Sequence, residues 1–187
     1  EDSELQEVTY LMTEAYERIA AVVEETRQLT KGELGQKLNL TEGSMDEVVQ
    51  SAVRLAQCDA KTRAHKVSIN IPEHADFQFD VGRIKQVLLN LIRNASDAMA
   101  ESGEITVAAR YDVEHDVVLV SVRDTGCGIP EDQIAEIWEP FMTTKGQEGT
   151  GLGLDFCRAI VEAHEGHIRC ESVESVGSTF TFSLPLK

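Results

Sequence analysis

Apolar side chains recur along the first thirty residues at alternating spacings of three and four. This is the heptad spacing of a helix that buries one narrow seam against another helix. The spacing predicts a single long helix, and Gly32 and Gly35 predict its end and a hinge. We assign residues 1–35 to a helical dimerisation segment and residues 36–187 to a second domain. The seam positions are Leu5, Val8, Met12, Ala15, Ile19, Val22, Thr26 and Leu29.

An isolated helix with one apolar seam needs a partner that covers the seam. The pattern favours a second copy of the chain, so that two such helices join in the bundle of a homodimer. The alternative is that the helix packs back onto its own domain. Both arrangements bury the seam, and the sequence alone leaves them open.

Two helices are expected in the first half of the second domain. One begins at Ser44, with Glu47 completing a capping box, and ends near Lys61. The strongest helix of the chain covers residues 81–99, where a single apolar stripe recurs at helical spacing. The stripe consists of Ile84, Val87, Leu88, Leu91, Ile92, Ala95 and Met99.

Five stretches alternate between apolar and polar residues, as strands with one buried face do. This one-sided polarity indicates a sheet that helices cover on one face only. The sequence therefore predicts an α/β fold, a two-layer α/β sandwich with a mixed sheet, preceded by the long N-terminal helix. The inward positions are Val67, Ile69 and Ile71; Ile105, Val107 and Ala109; Val118, Val120 and Val122; Ile168 and Cys170; and Phe180, Phe182 and Leu184.

The formal net charge of -16 on 187 residues argues against a protein that binds nucleic acid or an anionic membrane surface. An anionic ligand such as a nucleotide would need a metal ion and a local cluster of donors. The four cysteines include no CxxC pair, which indicates reduced thiols in the cytoplasm rather than a zinc site. No apolar run could span a bilayer, so a membrane contact would come only from segments of a longer protein.

Several common catalytic motifs are missing from the sequence. There is no GxxxxGK[ST] phosphate loop, no GxGxxG after a strand and no HExxH metal motif. The helix over residues 81–99 instead carries Asn90 and Asn94 four residues apart, hence on one side, with Asp97 beside them. Their amides can offer a carbonyl oxygen to a metal ion and N–H donors to phosphate. Such a pair alone is more often merely solvated.

Two further stretches carry candidate ligand-binding groups. The apolar strand in "VSVRD" ends at Asp124, whose carboxylate can accept a hydrogen bond from an exocyclic amine such as that of adenine. Gly126 and Gly128 would let the backbone pass close to a flat base. The stretch "GTGLGL" opens a helix that we expect from Gly151 to Ala163, and glycines at a helix N-terminus expose N–H groups that bind phosphate.

Taken in this order, the three motifs resemble the ATP-binding domain shared by sensor histidine kinases, type II topoisomerases, Hsp90 chaperones and MutL proteins. The stretch "NLIRNASDA" is similar to the N box of this family, "DTGCGIP" to its G1 box, "EPFMTTK" to its F box and "GTGLGL" to its G2 box. The resemblance covers residues 41–187 and implies a Bergerat-type fold. Within the family, the chain is similar to the C-terminal catalytic domain of a bacterial sensor histidine kinase, preceded by the second helix of the dimerisation hairpin.

The resemblance implies a role for each matching residue. Asn94 would ligate Mg²⁺ and Asn90 would orient the metal or a phosphate. Arg93 and Lys145 would contact the phosphates of ATP, and Lys145 and Asn90 would be the catalytic residues. Asp124 would hold the adenine amine. Further nucleotide contacts would come from Asp97, Gly126, Gly128, Ile129, Phe141, Thr144, Gly149, Thr150, Gly151, Leu152 and Gly153, and through water from Thr179.

One position separates the kinases of this family from its ATPases. The ATPases carry a glutamate four residues before the metal-binding asparagine, and this glutamate activates water. The chain has Asn90 there, and an amide is no base. The resemblance therefore implies phosphoryl transfer with little hydrolysis. The acceptor would be a histidine of a two-component system, which passes the phosphoryl group to the receiver domain of a response regulator.

None of the five histidines has the His-Glu…Pro context of the phosphoacceptor in this family: His65, His74, His115, His164 and His167. We therefore expect the acceptor on a helix that this chain lacks. Two alternatives stay open. One is a serine-directed kinase of the anti-sigma-factor type, which would have no helical arm. The other is a binding or scaffold module that keeps the fold without the catalysis.

Overall fold

The computed structural model of the protein describes residues 37–71, 76–100, 102–112, 114–143 and 151–186. The helix expected over residues 1–35, with its heptad seam, lies outside this part of the chain. The helical arm and the division into two domains therefore stay predictions.

The described residues form four α-helices and seven β-strands. The helices are α1 (Met45–Ala56), α2 (Ala60–Arg63), α3 (Val81–Asp97) and α4 (Gly153–Ala163). Two short 3₁₀ turns, Glu131–Gln133 and Glu136–Trp138, lie between the fifth strand and α4. The strands are β1 (Thr41–Ser44), β2 (Lys66–Asn70), β3 (Asp76–Phe79), β4 (Glu104–Asp112), β5 (Val117–Asp124), β6 (Ile168–Val173) and β7 (Gly177–Pro185).

Five of the strands form one sheet in the order β2–β4–β5–β7–β6. Strand β2 runs parallel to β4, whereas the other neighbouring strands pair antiparallel. The predicted mixed sheet is thereby confirmed. Strands β1 and β3 form a separate antiparallel pair, with Thr41 opposite Phe79. This small sheet goes beyond the sequence-based expectation because four-residue strands are too short to show a clear alternation.

The helices and the inner face of the sheet enclose one hydrophobic core. Strands β4, β5 and β7 bury every second residue, so the alternation expected at Ile105, Val120 and Phe182 is confirmed. The predicted apolar stripe of α3 is buried from Ile84 to Ala95. The two-layer α/β sandwich is therefore confirmed. None of the described helices is long and apolar enough to cross a bilayer.

The first predicted helix of the domain is divided into two. Helix α1 ends at Ala56, and Asp59 starts α2 by accepting the backbone N–H of Lys61 at 3.2 Å. Ser44 occupies the N-cap of α1, but its side chain makes no capping hydrogen bond within the described residues. The capping box expected with Glu47 is therefore wrong, and the helix instead continues directly from strand β1, whose last residue is Ser44.

The burial of one strand residue and the start of one helix also differ from the sequence-based expectation. Ile69, expected on a buried face, is 40% exposed. The reason is that β2 lies at the edge of the sheet, where the helical layer covers it incompletely, although Val67 and Ile71 still pack against the core. Helix α4 begins at Gly153, two residues after the expected start at Gly151.

Candidate nucleotide-binding site

Asp124 is the last residue of β5, and its side chain is buried, with only 2% of the residue exposed. Its Oδ1 accepts two backbone hydrogen bonds, from the N–H of Gly126 at 2.8 Å and from that of Ser178 at 3.2 Å. Burial raises the pKa of the Asp124 carboxyl, and the two hydrogen bonds oppose this rise. The carboxylate is therefore held in one orientation, in which Oδ2 is the oxygen that can accept an N–H donor of a ligand.

The residue of β7 that reaches Asp124 is Ser178 and not Thr179. Successive residues of a strand face opposite sides of the sheet. Ser178 is buried on the helical side, in step with Phe180, whereas Thr179 lies opposite Arg123 on the outer face. The expectation that Thr179 assists Asp124 through water is therefore wrong, and Ser178 takes its place as the candidate.

A pair of serines that the sequence analysis missed links the loop after β5 to the β6–β7 turn. Ser172 Oγ accepts the N–H of Ile129 at 2.8 Å and donates to Gly177 O at 3.0 Å. It also lies 3.0 Å from Ser178 Oγ. These contacts fix Ile129, a predicted nucleotide contact, beside the strand that orients Asp124. Strand alternation could have indicated both serines, because each is in step with the inward apolar positions of its strand.

Gly126 and Gly128 are required by the protein's own backbone. A Cβ atom on Gly126 would lie 2.6 Å from Ala98 O, at the end of α3. Gly128 has a φ of +69°, and a Cβ atom there would collide with Val173 O in β6. These contacts explain both glycines without a ligand, so the expected approach of a flat base to their backbone stays a prediction. They let the loop after β5 pack between α3 and the β6–β7 turn.

Asn90 lies on the side of α3 that faces α4. Its side-chain amide hydrogen bonds to Sγ of Cys157, and the Cys157 thiol donates to Val87 O at 3.8 Å. Burial raises the pKa of Cys157 to about 12, and the hydrogen bond from Asn90 opposes this rise. The thiol is therefore protonated at neutral pH, and it holds the Asn90 amide between the two helices.

Helices α3 and α4 run antiparallel, and two contacts give their register. The backbone of Asp80, at the start of α3, bonds to His164 at the end of α4. Val87 follows Asp80 by seven residues in α3, and it contacts Cys157, which precedes His164 by seven residues in α4. Continuing this register by two turns brings Asn94 level with the N-terminal end of α4. The amides of α3 and the positive end of α4 therefore share one edge of the domain.

The N-terminal end of α4 is open at Gly153 and closely packed at Gly151. A Cβ atom on Gly153 would meet none of the described atoms within 4 Å. Gly151 has a φ of +70°, and a Cβ atom there would lie 2.6 Å from Phe141 Cα. The N–H of Phe141 donates to Gly151 O at 3.0 Å, so these two residues are tied together. The first turn of α4 thus offers its N–H groups to an anion.

The other residues predicted to contact the nucleotide differ in how exposed they are. Arg93 and Asp97 are exposed on α3, and Asp97 Oδ1 lies 3.5 Å from Lys61 Nζ of α2. The side chain of Leu152 is buried, so only its backbone can reach a ligand, whereas Phe141 is 72% exposed. The predicted contacts outside the described residues are Thr144, Lys145, Gly149 and Thr150.

Magnesium would have to be held by few protein ligands. Among the described residues, no group of three or more His, Cys, Asp or Glu side chains could bind a metal ion. Mg²⁺ usually takes one or two protein oxygens and completes its octahedron with phosphate oxygens and water. Amide oxygens of Asn90 and Asn94 near the positively polarised N-terminal end of α4 fit a metal that arrives with a nucleotide.

Residues 79–187 match the family described as "Histidine kinase-, DNA gyrase B-, and HSP90-like ATPase". The chain belongs to this family. The matched part begins just ahead of α3 and includes Asp124, Ser178 and α4, so the candidate site lies within it. The family supports ATP as the ligand of this domain.

Curated relatives include several sensor histidine kinases. Sensor histidine kinase ZraS of Klebsiella oxytoca is 37% identical over 186 residues, which are 99% of this chain and 39% of that protein. The "Non-motile and phage-resistance protein" of Caulobacter vibrioides is 34% identical over 180 residues, 91% of this chain and 21% of that protein. The chain thus spans well under half the length of these relatives.

Solved structures with the same fold include histidine kinases. The nucleotide-free catalytic domain of histidine kinase ThkA has a TM-score of 0.71 at 35% identity, over 79% of this chain and 96% of that chain. Full-length ShkA in complex with AMPPNP has a TM-score of 0.81 at 25% identity, over 95% of this chain and 38% of that chain. The resemblance to the C-terminal catalytic, ATP-binding domain of sensor histidine kinases is thereby confirmed.

Proposed function

We propose that this domain binds Mg²⁺·ATP and transfers the γ-phosphoryl group to a histidine outside this chain's own five, for relay to a response regulator. The observation that carries the proposal is the Asp124 carboxylate, buried at the end of β5 and oriented by the N–H groups of Gly126 and Ser178. A buried carboxylate that keeps one oxygen for a ligand suits the exocyclic amine of adenine.

The phosphates would lie between α3 and the N-terminal end of α4. Within the described part of the chain, the space beside Gly153 is open and leaves room for them, and the helix end favours their negative charge. Arg93 and Lys145 would add positive charge in a chain whose net charge is -16. Asn94 would offer an amide oxygen to Mg²⁺, and the bound metal would neutralise charge that develops on the phosphates.

Transfer to another acceptor, rather than hydrolysis, follows from the side chain at position 90. Asn90 is an amide engaged with Cys157, and it has no basic group that could deprotonate water. Its role would be to orient a phosphate or the metal. Phosphoryl transfer needs mainly positioning and charge neutralisation, so the absence of a base slows hydrolysis without preventing transfer to a histidine.

Three of the four histidines that the structure describes are poorly placed as acceptors, and the fourth, His167, is exposed just before β6 but lies on no helix. His65 and His164 are buried, and each accepts a backbone N–H, from Gly103 at 3.2 Å and from Asp80 at 3.0 Å. His115 lies in the β4–β5 hairpin beside Asp112. These environments support an acceptor on another helix.

Two partners belong to this proposal. The predicted arm over residues 1–35 would pair with that of a second copy, and the acceptor helix would lie in the same bundle. ThkA, a structural neighbour with a TM-score of 0.75 at 28% identity, is known in complex with the response regulator TrrA. We expect a receiver domain to be the partner here too, in the cytoplasm, with any membrane attachment provided by other segments.

Calorimetry with Mg²⁺·ADP tests the adenine site. The Asp124→Asn variant should bind about 1.5–3 kcal/mol more weakly, the scale of a lost charge-assisted hydrogen bond. The matched control is Asp116→Asn, the same change of charge at an exposed hairpin residue with a φ of 56° that asparagine tolerates. Equal affinity of Asp124→Asn and wild type would remove Asp124 from the site.

A further inference from the structure

The end of α4 is attached to the start of α3 by one histidine. His164 Nδ1 lies 2.8 Å from Ile160 O, and its Nε2 lies 3.0 Å from the backbone nitrogen of Asp80. A carbonyl oxygen can only accept, so Nδ1 carries the hydrogen. The N–H of Asp80 can only donate, so Nε2 is the acceptor. This arrangement requires the neutral imidazole with its proton on Nδ1.

Asp80 extends this attachment to the chain that enters the domain. Its Oδ1 accepts the N–H of Arg83 at 3.1 Å and thereby caps α3. Its Oδ2 accepts the N–H of Asn39 at 3.0 Å and lies 3.6 Å from Nε of Arg83. Asn39 precedes β1, so one side chain joins the entering segment to the helix that carries Asn90.

Burial keeps the imidazole of His164 neutral near physiological pH, because it outweighs the neighbouring groups that raise the pKa. Burial lowers the pKa of His164, and the guanidinium of Arg83 lowers it further. The hydrogen bond to Ile160 O and the carboxylate of Asp80 oppose this shift, but the pKa stays below its ordinary value. Protonation would place a hydrogen on Nε2, directly against the N–H of Asp80, and would break the attachment.

We propose that neutral His164 is a positioning residue for the nucleotide site, and that its bond to Asp80 fixes the register of α3 against α4. The inference rests on the proposed function, since it assumes that Asn90, Asn94 and the start of α4 hold the phosphates. Asp80 and Asn94 are about 21 Å apart along α3. A loss of register at Asp80 therefore displaces the asparagines relative to Gly153 at the other end of the helix pair.

Two amide variants separate the two bonds of the imidazole. His164→Gln places an acceptor oxygen where Nε2 stands and can keep the bond from Asp80. His164→Asn keeps only a donor toward Ile160 O, because its shorter side chain cannot reach Asp80. At about pH 7.5, where the wild-type imidazole is neutral, the Gln variant should bind Mg²⁺·ADP within about twofold of wild type. The Asn variant should bind about three- to tenfold more weakly, the scale of one hydrogen bond.

The pH dependence of Mg²⁺·ADP affinity provides a second test, because a purely structural role of His164 would not change it. As the pH is lowered from about 7.5 into the range where the wild-type imidazole is protonated, the wild type should lose more affinity than His164→Gln, which has no imidazole to protonate. Both variants are measured below their melting temperatures. Equal affinities of the Gln and Asn variants, or superimposed profiles of wild type and Gln, would overturn the proposal.

Amide hydrogen exchange without nucleotide distinguishes this proposal from the proposed function. Exchange around Asn90 and Gly153 should be faster in His164→Asn than in His164→Gln. If the wild type does not bind nucleotide at all, the proposed function is wrong. The exchange rates alone then show whether His164 fixes the register of α3 against α4. Identical exchange at both ends of the helix pair in the two variants would contradict its positioning role.

Discussion

Ser178 donates its backbone N–H to Oδ1 of Asp124 at 3.2 Å, so strand β7 orients a carboxylate at the end of neighbouring strand β5. The same serine contacts Ser172 Oγ, which accepts the N–H of Ile129. The proposed base site is thus formed by backbone donors and by two small hydroxyl side chains on the inner face of the sheet.

Removal of the Ser172 hydroxyl should loosen this arrangement. In Ser172→Ala, the N–H of Ile129 loses its acceptor, and we expect about 1 kcal/mol of lost folding stability with weaker ADP binding. The control is Thr179→Ala, which removes a hydroxyl from the outer face of the adjacent strand and should leave ADP affinity unchanged. Urea unfolding and calorimetry measure both effects. A larger loss of affinity in Thr179→Ala would contradict the assignment of Ser178 and Ser172 to the site.

Two glycines near the start of α4 should respond differently to alanine. Gly151→Ala places a Cβ atom 2.6 Å from Phe141 Cα at a φ of +70°, so it should lower the melting temperature. Gly153→Ala would meet none of the described atoms within 4 Å and should leave stability unchanged or slightly higher, since alanine favours a helix.

Gly153→Ala should nevertheless impair nucleotide binding. If the phosphates occupy the space beside it, Gly153→Ala should weaken ADP binding despite its normal stability. Thermal melts with and without Mg²⁺·ADP provide the comparison. A full ADP-induced rise in melting temperature for Gly153→Ala would place the phosphates elsewhere.

Asp124 should bind nucleotide at the expense of folding stability. The native pKa of its carboxyl is raised above the ordinary value of 3.8, so the native state binds a proton more readily than the unfolded state. Stability from this group is therefore present at low pH and lost as pH rises through the native pKa. Asp124→Asn can keep an acceptor for Gly126 and Ser178 without a buried charge.

We therefore expect Asp124→Asn to melt at the same or a higher temperature than wild type at neutral pH. The difference between the two proteins should shrink as the pH falls and the wild-type carboxyl is protonated. Calorimetric melts at several pH values measure it. A variant that is strongly destabilised at neutral pH would show that the carboxylate charge stabilises the fold instead.

The elements predicted from the sequence were those whose pattern is repeated along their length. The stripe of α3 and the alternation of β4, β5 and β7 were each carried by several buried residues. The four-residue strands β1 and β3 have too few positions for a pattern. The break between α1 and α2 depends on Asp59, which competes as a cap within an otherwise helical stretch.

The candidate site was outlined from the sequence, and its nucleotide contacts stay predictions, whereas the details that the structure corrects depend on contacts between residues distant in the chain. The order of the motifs pointed to Asp124 and to the asparagines of α3. Thr179 was chosen for its residue type, whereas strand alternation selects Ser178. The need for glycine at positions 126 and 128 comes from Ala98 and Val173. Neither neighbour can be recognised from the sequence, because each meets its glycine only after the chain has folded.

The most direct test of the proposed function is phosphoryl transfer in trans. The protein is incubated with Mg²⁺ and γ-labelled ATP, alone and with a separate protein that carries the acceptor helix of a histidine kinase. We expect acid-labile phosphate on that acceptor only, none on an acceptor whose histidine is replaced by glutamine, and little with Asp124→Asn. Hydrolysis without acceptor should stay very low, because Asn90 is no base. Rapid ATP hydrolysis by the protein alone, or firm ATP binding with no transfer to the acceptor, would contradict the proposal.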